Sequence, residues 1–70
     1  MSGTSTDMVY QRGEIVALNS ATGPISRVVV RDLGSIVEVC REEEYEESER
    51  LMREPIRVGF KKRDIIKRLR

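Results

Sequence analysis

The side chains best suited to binding chemistry lie in the last third of the chain. Residues 50–70 hold nine basic and two acidic side chains, whereas residues 38–49 hold seven acidic side chains and one basic. Clustered lysine and arginine attract phosphate groups and acidic proteins. The candidate partner-binding residues are therefore the basic side chains near the end of the chain: Arg57, Lys61, Lys62, Arg63, Lys67 and Arg68.

The acidic segment before this basic segment leaves two interpretations open. The basic side chains could contact phosphate, or the acidic segment could lie beside them and neutralise them. The net charge of the whole chain is only +1, and dedicated nucleic-acid binders usually carry a strong positive excess. The charge balance therefore favours internal neutralisation over phosphate binding.

The residues that usually perform catalysis or bind metals are scarce. The chain has no histidine and a single cysteine, Cys40, so the common zinc ligand sets cannot form within it. The glutamates of residues 42–49 lack the interspersed Gly, Asn and Asp of a calcium loop. We expect no catalytic residues, no cofactor, no metal site and no enzyme activity, with Cys40 buried or half-buried in a strand.

Length and composition indicate one small domain. The chain has 70 residues, and we assign residues 8–70 to this domain and the small polar residues 1–7 to a disordered tail. A lone cysteine forms no intramolecular disulfide, which favours a reducing, cytoplasmic setting. No apolar run is long enough to span a membrane, so we expect a soluble protein without a membrane partner.

The central element is a β-hairpin predicted over residues 27–41. Two runs of β-branched residues, 28–30 and 36–39, flank the sequence Asp32-Leu33-Gly34, which supplies the acceptor and the positive-φ position of a tight turn. Alternation places Val28 and Val30 on one face of the first strand of the hairpin, and Glu38 marks the wetter face of the second strand. The predicted core residues are Val28, Val30, Val37 and Val39, and the wetter face carries Ile36, Glu38 and Cys40.

The other elements are assigned from apolar alternation and turn residues. Residues 14–18 predict a first strand and residues 19–24 a loop, with Pro24 just before a strand or at a bulge. Residues 42–53 predict a short acidic helix supported by the pairs Glu46–Arg50 and Glu49–Arg53, the alternative being a long polar loop. Residues 55–60 predict a fourth strand with Ile56, Val58 and Phe60 on one face. Residues 65–70 then predict a last strand entered through a 3₁₀ turn.

Five short strands in about sixty residues suit a sheet that curls into a small barrel. The ending Ile56-Arg57-Val58-Gly59-Phe60, followed by Lys61-Lys62-Arg63-Asp64-Ile65, resembles SH3-like small barrels, in which a strand, a 3₁₀ turn and a last short strand follow one another. The resemblance implies a mainly β fold: an SH3-like five-stranded β-barrel with a short acidic helix inserted before the fourth strand. It implies no site residues.

Function is predicted at the level of binding. The first hypothesis is a non-catalytic module that acts through a protein partner, for instance as an adaptor or regulatory subunit. The opposite charges of the two segments could also align two copies head to tail in a weak homodimer. The alternative hypothesis is nucleic-acid binding, most naturally to RNA, through the basic segment.

Overall fold

The computed structural model describes residues 8–70, and the disordered tail predicted for residues 1–7 lies outside them. Five antiparallel strands form one sheet: β1 (Ile15–Ser20), β2 (Gly23–Asp32), β3 (Ile36–Cys40), β4 (Val58–Lys61) and β5 (Ile65–Arg68). Helix α1 (Glu42–Leu51) follows β3, and a 3₁₀ turn (Lys62–Asp64) joins β4 to β5. The mainly β fold, the helix before the fourth strand and the final 3₁₀ turn are confirmed.

The strands lie in the order β4-β3-β2-β1-β5, so β4 and β5 are the two edges of the sheet. Within residues 8–70, these two strands do not pair with each other. The sheet is therefore not closed into a barrel, and barrel closure stays a prediction.

The first two strands form a hairpin that the sequence prediction missed. Ala21 and Thr22 make the turn between Ser20 and Gly23, where Gly23 adopts a φ of 113°. Pro24, which we placed before a strand or at a bulge, lies inside β2 opposite Asn19. This position tolerates proline because β3 pairs with β2 only from Val28 onwards. On that side of β2, no strand lies beside Pro24 to accept a hydrogen bond from the missing N–H.

The core is divided between the two faces of the sheet. On the face that we call the inner face, one buried cluster contains Tyr10, Val16, Leu18, Val29, Val37, Val39 and Ile65. On the opposite face, the helix face, the half-buried Tyr45 of α1 packs against Ile15, Val28, Val30 and Cys40. The four valines predicted for the core are all buried, but they belong to two clusters.

Val29 was not among the predicted core residues, yet it is fully buried because β2 is covered on both faces. One detail of the predicted faces is wrong. Cys40 was assigned to the wetter face, yet it is buried beneath the helix. The burial of Cys40 in a strand is itself confirmed.

Helix α1 begins with three glutamates and ends at Leu51, and the following Met52 adopts a left-handed φ of 57°. The ion pairs predicted within the helix, Glu46–Arg50 and Glu49–Arg53, are not among those formed by residues 8–70. Arg53 lies beyond the helix end and instead reaches back to Glu44, with Nη1 to Oε2 at 2.6 Å. Because the chain turns back after the helix, Arg53 pairs with Glu44 instead of the predicted Glu49.

The fourth strand is shorter than predicted and starts at Val58. Ile56 precedes it and is largely exposed, and Val58 is also exposed, while Phe60 is half-buried against the inner-face core. The three residues predicted to share one buried face therefore do not. The edge position of β4 explains this difference, since nothing covers its outer end in the described chain.

Candidate partner-binding surface

The six basic residues singled out from the sequence do not form one patch. Arg57 lies on the helix face, where its Nε donates to Glu38 Oε1 at 3.0 Å. Glu38 Oε1 also accepts from Arg31 Nε at 3.1 Å. Burial raises the pKa of Glu38, but the hydrogen bonds from these two arginines outweigh it and leave that pKa below its ordinary value. The positive charge of Arg57 is therefore neutralised in part by Glu38 of β3.

Lys62 and Arg68 lie together around the ring of Tyr10, at 5.7 Å and 4.9 Å from its centroid. Lys62 is buried, and it pairs with Asp32 and donates to the carbonyl oxygen of Met8. Arg68 pairs with Glu14 at 3.1 Å and donates to the carbonyl oxygen of Val9. Both side chains fix the segment that precedes β1, so their role is structural.

The other three basic residues are exposed: Lys61, Arg63 and Lys67. None of them forms an ion pair with another residue in the described part of the chain. Lys67 lies on β5 opposite Ala17, at one edge of the sheet. Lys61 and Arg63 lie beside the other edge strand, and the structure therefore divides the remaining basic side chains between two places.

Lys61 and Arg63 line an open cleft together with Ser35 and Ile36. The cleft has a volume of ≈ 280 Å³. Ile36 lies opposite Lys61 in the β3–β4 pair, and it is 40% exposed. We call this group of four residues the β4 cleft. It combines an apolar floor with two cationic side chains, which suits a group that is both apolar and acidic.

Gly59 helps to leave Ile36 accessible. A Cβ at position 59 would lie 3.2 Å from Ile36 Cγ2, closer than an ordinary contact. A larger residue there would therefore press on the floor of the cleft. Because Gly59 has no side chain, it does not crowd Ile36.

The outer edge of β4 offers backbone groups beside the cleft. Lys62 N–H donates to Ser35 O at 3.0 Å. Because amides alternate in direction along an antiparallel strand, the N–H groups of Gly59 and Lys61 point away from β3. No other strand in residues 8–70 pairs with this edge. These groups are therefore available to a partner strand.

The acidic segment neutralises the basic one only in part. Glu44 holds Arg53 and also accepts from the N–H of Ile56 at 2.9 Å. The hydrogen bond from Arg53, followed by the one from Ile56, lowers the pKa of Glu44. The outward glutamates of α1 form no ion pair with another described residue: Glu42, Glu43, Glu46 and Glu47.

Within residues 8–70, no group of three or more His, Cys, Asp and Glu side chains is placed to hold a metal ion.

The apolar part of the β4 cleft was not predicted. Ile36 was assigned to the wetter face of β3, and it is 40% exposed. Its position beside Lys61 and Arg63 depends on the pairing of β3 with β4, which brings Ile36 opposite Lys61 from a distant part of the sequence. Strand alternation alone does not give that register.

Two further results complete the description of the surface. None of the helices in residues 8–70 is long and apolar enough to cross a membrane. No protein family, no curated protein and no solved structure matches this chain.

Proposed function

We propose that this chain is a non-catalytic protein-binding module that takes an extended, acidic segment of a protein partner along the outer edge of β4. The observation that carries the proposal is the β4 cleft, which the exposed Ile36 lines together with Lys61 and Arg63 beside an unpaired strand edge. The module would serve as an adaptor or a regulatory subunit.

The backbone supports the binding of an extended segment. Peptides commonly bind by adding a strand to an exposed sheet edge, where main-chain hydrogen bonds give affinity and side-chain pockets give specificity. The outward N–H groups of Gly59 and Lys61 would pair with the carbonyl groups of the partner. Every second side chain of the added strand would then face the β4 cleft.

The side chains support an acidic partner. Lys61 and Arg63 are exposed and form no ion pair within residues 8–70, so a carboxylate from a partner would meet cations that are not already neutralised. Ile36 would contact an apolar side chain of the same segment. Complementary charge of this kind selects partners and increases the rate of association.

The alternative function, nucleic-acid binding, has weaker support. Three of the six basic residues already hold carboxylates: Arg57, Lys62 and Arg68. Of the three aromatic residues, Tyr10 is buried and Tyr45 and Phe60 are half-buried. None of these rings is therefore fully exposed for stacking on a base. The remaining three of these six residues, Lys61, Arg63 and Lys67, would provide about three phosphate contacts, which gives a shallow dependence of affinity on salt.

The proposal takes the fold as an incompletely closed SH3-like barrel, in which β4 and β5 stay the two unpaired edges of the sheet. The strand order and the three-residue 3₁₀ turn between β4 and β5 support it. In a fully closed barrel the β4 edge would be covered by β5. The binding proposal therefore depends on that edge staying accessible.

The proposal is tested by selecting dodecapeptides from a random phage-displayed library on the full chain. We expect the selected peptides to alternate acidic and apolar residues. Their affinity should fall about ten-fold or more in K61E/R63E, because each reversed charge replaces an attraction with a repulsion. The control K67E/R70E reverses two exposed charges at the β5 edge and should leave the affinity unchanged.

Two results would count against the proposal. Selected peptides that bind K61E/R63E as tightly as the original chain would place the binding surface elsewhere. A mixed-sequence RNA dodecamer that binds through Lys61, Arg63 and Lys67, in the absence of any selected peptide, would favour the nucleic-acid alternative. Sedimentation of the free chain gives its oligomeric state and so tests the predicted weak homodimer.

A further inference from the structure

Three arginines from separate parts of the chain line one cleft on the helix face. Arg12 comes from the turn before β1, Arg31 from β2, and Arg57 from the segment before β4. Val30 and Glu54 complete the lining, and the cleft has a volume of ≈ 320 Å³. We call it the arginine cleft. It shares no lining residue with the β4 cleft.

Two of the arginines are oriented by a single carboxylate. Arg31 and Arg57 both use Nε to donate to Glu38 Oε1, at 3.1 Å and 3.0 Å. Among the described residues, the terminal nitrogens of Arg31 have no hydrogen-bond acceptor. Arg57 donates to the carbonyl oxygen of Pro55 through Nη1 at 3.1 Å, which leaves its Nη2 for another group. Glu38 therefore holds both guanidinium groups in place while their outer donors stay available.

The third arginine is held only loosely. Arg12 lies 3.8 Å from a carboxylate oxygen of Glu54 and 4.0 Å from one of Glu49. Both separations exceed the length of a hydrogen bond. Tyr45 lies beneath the guanidinium group, with its ring centroid 5.9 Å away. Arg12 is therefore positioned over an aromatic ring without a close anionic partner.

Glu54 lies between two of the arginines without binding either closely. Its side chain is 72% exposed, and one carboxylate oxygen is 3.8 Å from Arg12 and 4.0 Å from Arg57. An exposed carboxylate at such distances contributes little attraction. A stronger anion entering the cleft would therefore displace it at small cost.

We propose that the arginine cleft binds a phosphoryl group, with Glu54 moving aside when that group enters. Guanidinium groups present pairs of N–H donors in a plane that matches the oxygens of a phosphate, and such charge-assisted hydrogen bonds are strong. The positive charges of the three arginines around this site attract the two negative charges of a phosphoryl group. The inference is independent of the proposed protein-binding function, since it uses other residues and no strand edge.

Isothermal titration calorimetry on the full chain tests this inference with two probes, at a fixed low ionic strength. Inorganic pyrophosphate represents a free phosphate compound, and N-acetyl-O-phosphoserine amide represents a phosphorylated protein side chain. Binding of either probe supports the site, and the tighter probe identifies the source of the phosphoryl group.

The variants give the decisive comparison. R12Q and R31Q should each weaken binding about ten-fold, since each removes charge-assisted donors to the anion. E54Q should tighten binding about five-fold, because it removes the competing negative charge. R50Q removes an exposed arginine from helix α1 and should leave the affinity unchanged. The proposal is overturned if neither probe binds, if E54Q binds no more tightly than the original chain, or if R50Q weakens binding as much as R12Q does.

Discussion

The ammonium group of Lys62 lies 2.9 Å from a carboxylate oxygen of Asp32, in a site where the two side chains are only 3% and 14% exposed. Lys62 belongs to the 3₁₀ turn between β4 and β5, and Asp32 ends β2. The same Asp32 oxygen accepts from the N–H of Tyr10 at 2.9 Å, and the other accepts from the N–H of Gly34 at 2.8 Å. One carboxylate thus joins the segment before β1, the β2–β3 turn and the 3₁₀ turn.

Removing this carboxylate should destabilise the fold strongly. D32A removes the carboxylate that pairs with the buried ammonium group of Lys62, and this is expected to cost about 3–5 kcal/mol, a large part of the stability of so small a domain. K62M should cost about 1–2 kcal/mol, because Asp32 keeps its two backbone N–H donors. Urea unfolding followed by circular dichroism measures both. A K62M variant less stable than D32A would contradict this ranking.

Stability should depend on Asp32 at acid pH. Burial raises the pKa of this carboxyl, but hydrogen bonds from Lys62, Tyr10 and Gly34 outweigh it and leave the pKa below its ordinary value. A carboxyl with a lowered pKa in the folded state binds protons more readily when unfolded, so its contribution is present above the unfolded-state pKa and is lost as pH falls through the folded-state pKa.

We therefore expect the urea midpoint to fall from near neutral pH towards about pH 3, and to fall less steeply in D32N. Glu38 and Glu44 also have lowered pKa values, so part of the acid dependence should persist in D32N. The measurement is a series of urea titrations across this range. Equal slopes in D32N and the original chain would show that Asp32 does not contribute.

The inner-face core should be sensitive to loss of volume. Leu18 is fully buried, whereas Leu33 in the β2–β3 turn is 53% exposed. L18A is expected to cost about 2–5 kcal/mol, because it removes buried methyl groups and leaves a cavity. The matched change L33A should cost less than about 0.5 kcal/mol. Thermal unfolding of the two variants makes the comparison, and similar losses would argue against the described core.

Cys40 should be slow to react in the folded protein. Burial, followed by the negative charge of Glu44, raises the pKa of this thiol, and the thiolate is the reactive form. Its reaction with Ellman's reagent should be slow in buffer and should accelerate greatly in denaturing urea. Rapid labelling under native conditions would show that helix α1 does not cover this part of the sheet.

Much of the fold follows from local patterns. The β-branched runs on either side of Asp32-Leu33-Gly34 predict β2 and β3, and the run of good helix formers after Cys40 predicts α1. These signals work because local propensity and alternation agree with the tertiary structure there. Residues 19–24 were predicted as a loop, but the turn takes only Ala21 and Thr22, and β1 and β2 extend into the rest of that segment and pair.

The site was harder to predict because it depends on contacts between distant segments. The sequence indicates that residues 57–68 are basic, but not that Asp32 and Glu14 bind Lys62 and Arg68. Each of these pairs joins residues at least thirty positions apart. Charge clustering in a sequence therefore overstates the charge that a folded surface presents.

The most direct test of the proposed function is amide hydrogen exchange in the labelled chain with and without a selected peptide. In the free chain, the amides of Gly59 and Lys61 should exchange rapidly, because they point away from the sheet, while the amide of Phe60 should be protected. An added strand should slow exchange at Gly59 and Lys61 about ten-fold or more. Unchanged exchange at both amides in the saturated complex, or protection confined to β5, would contradict binding at the β4 edge.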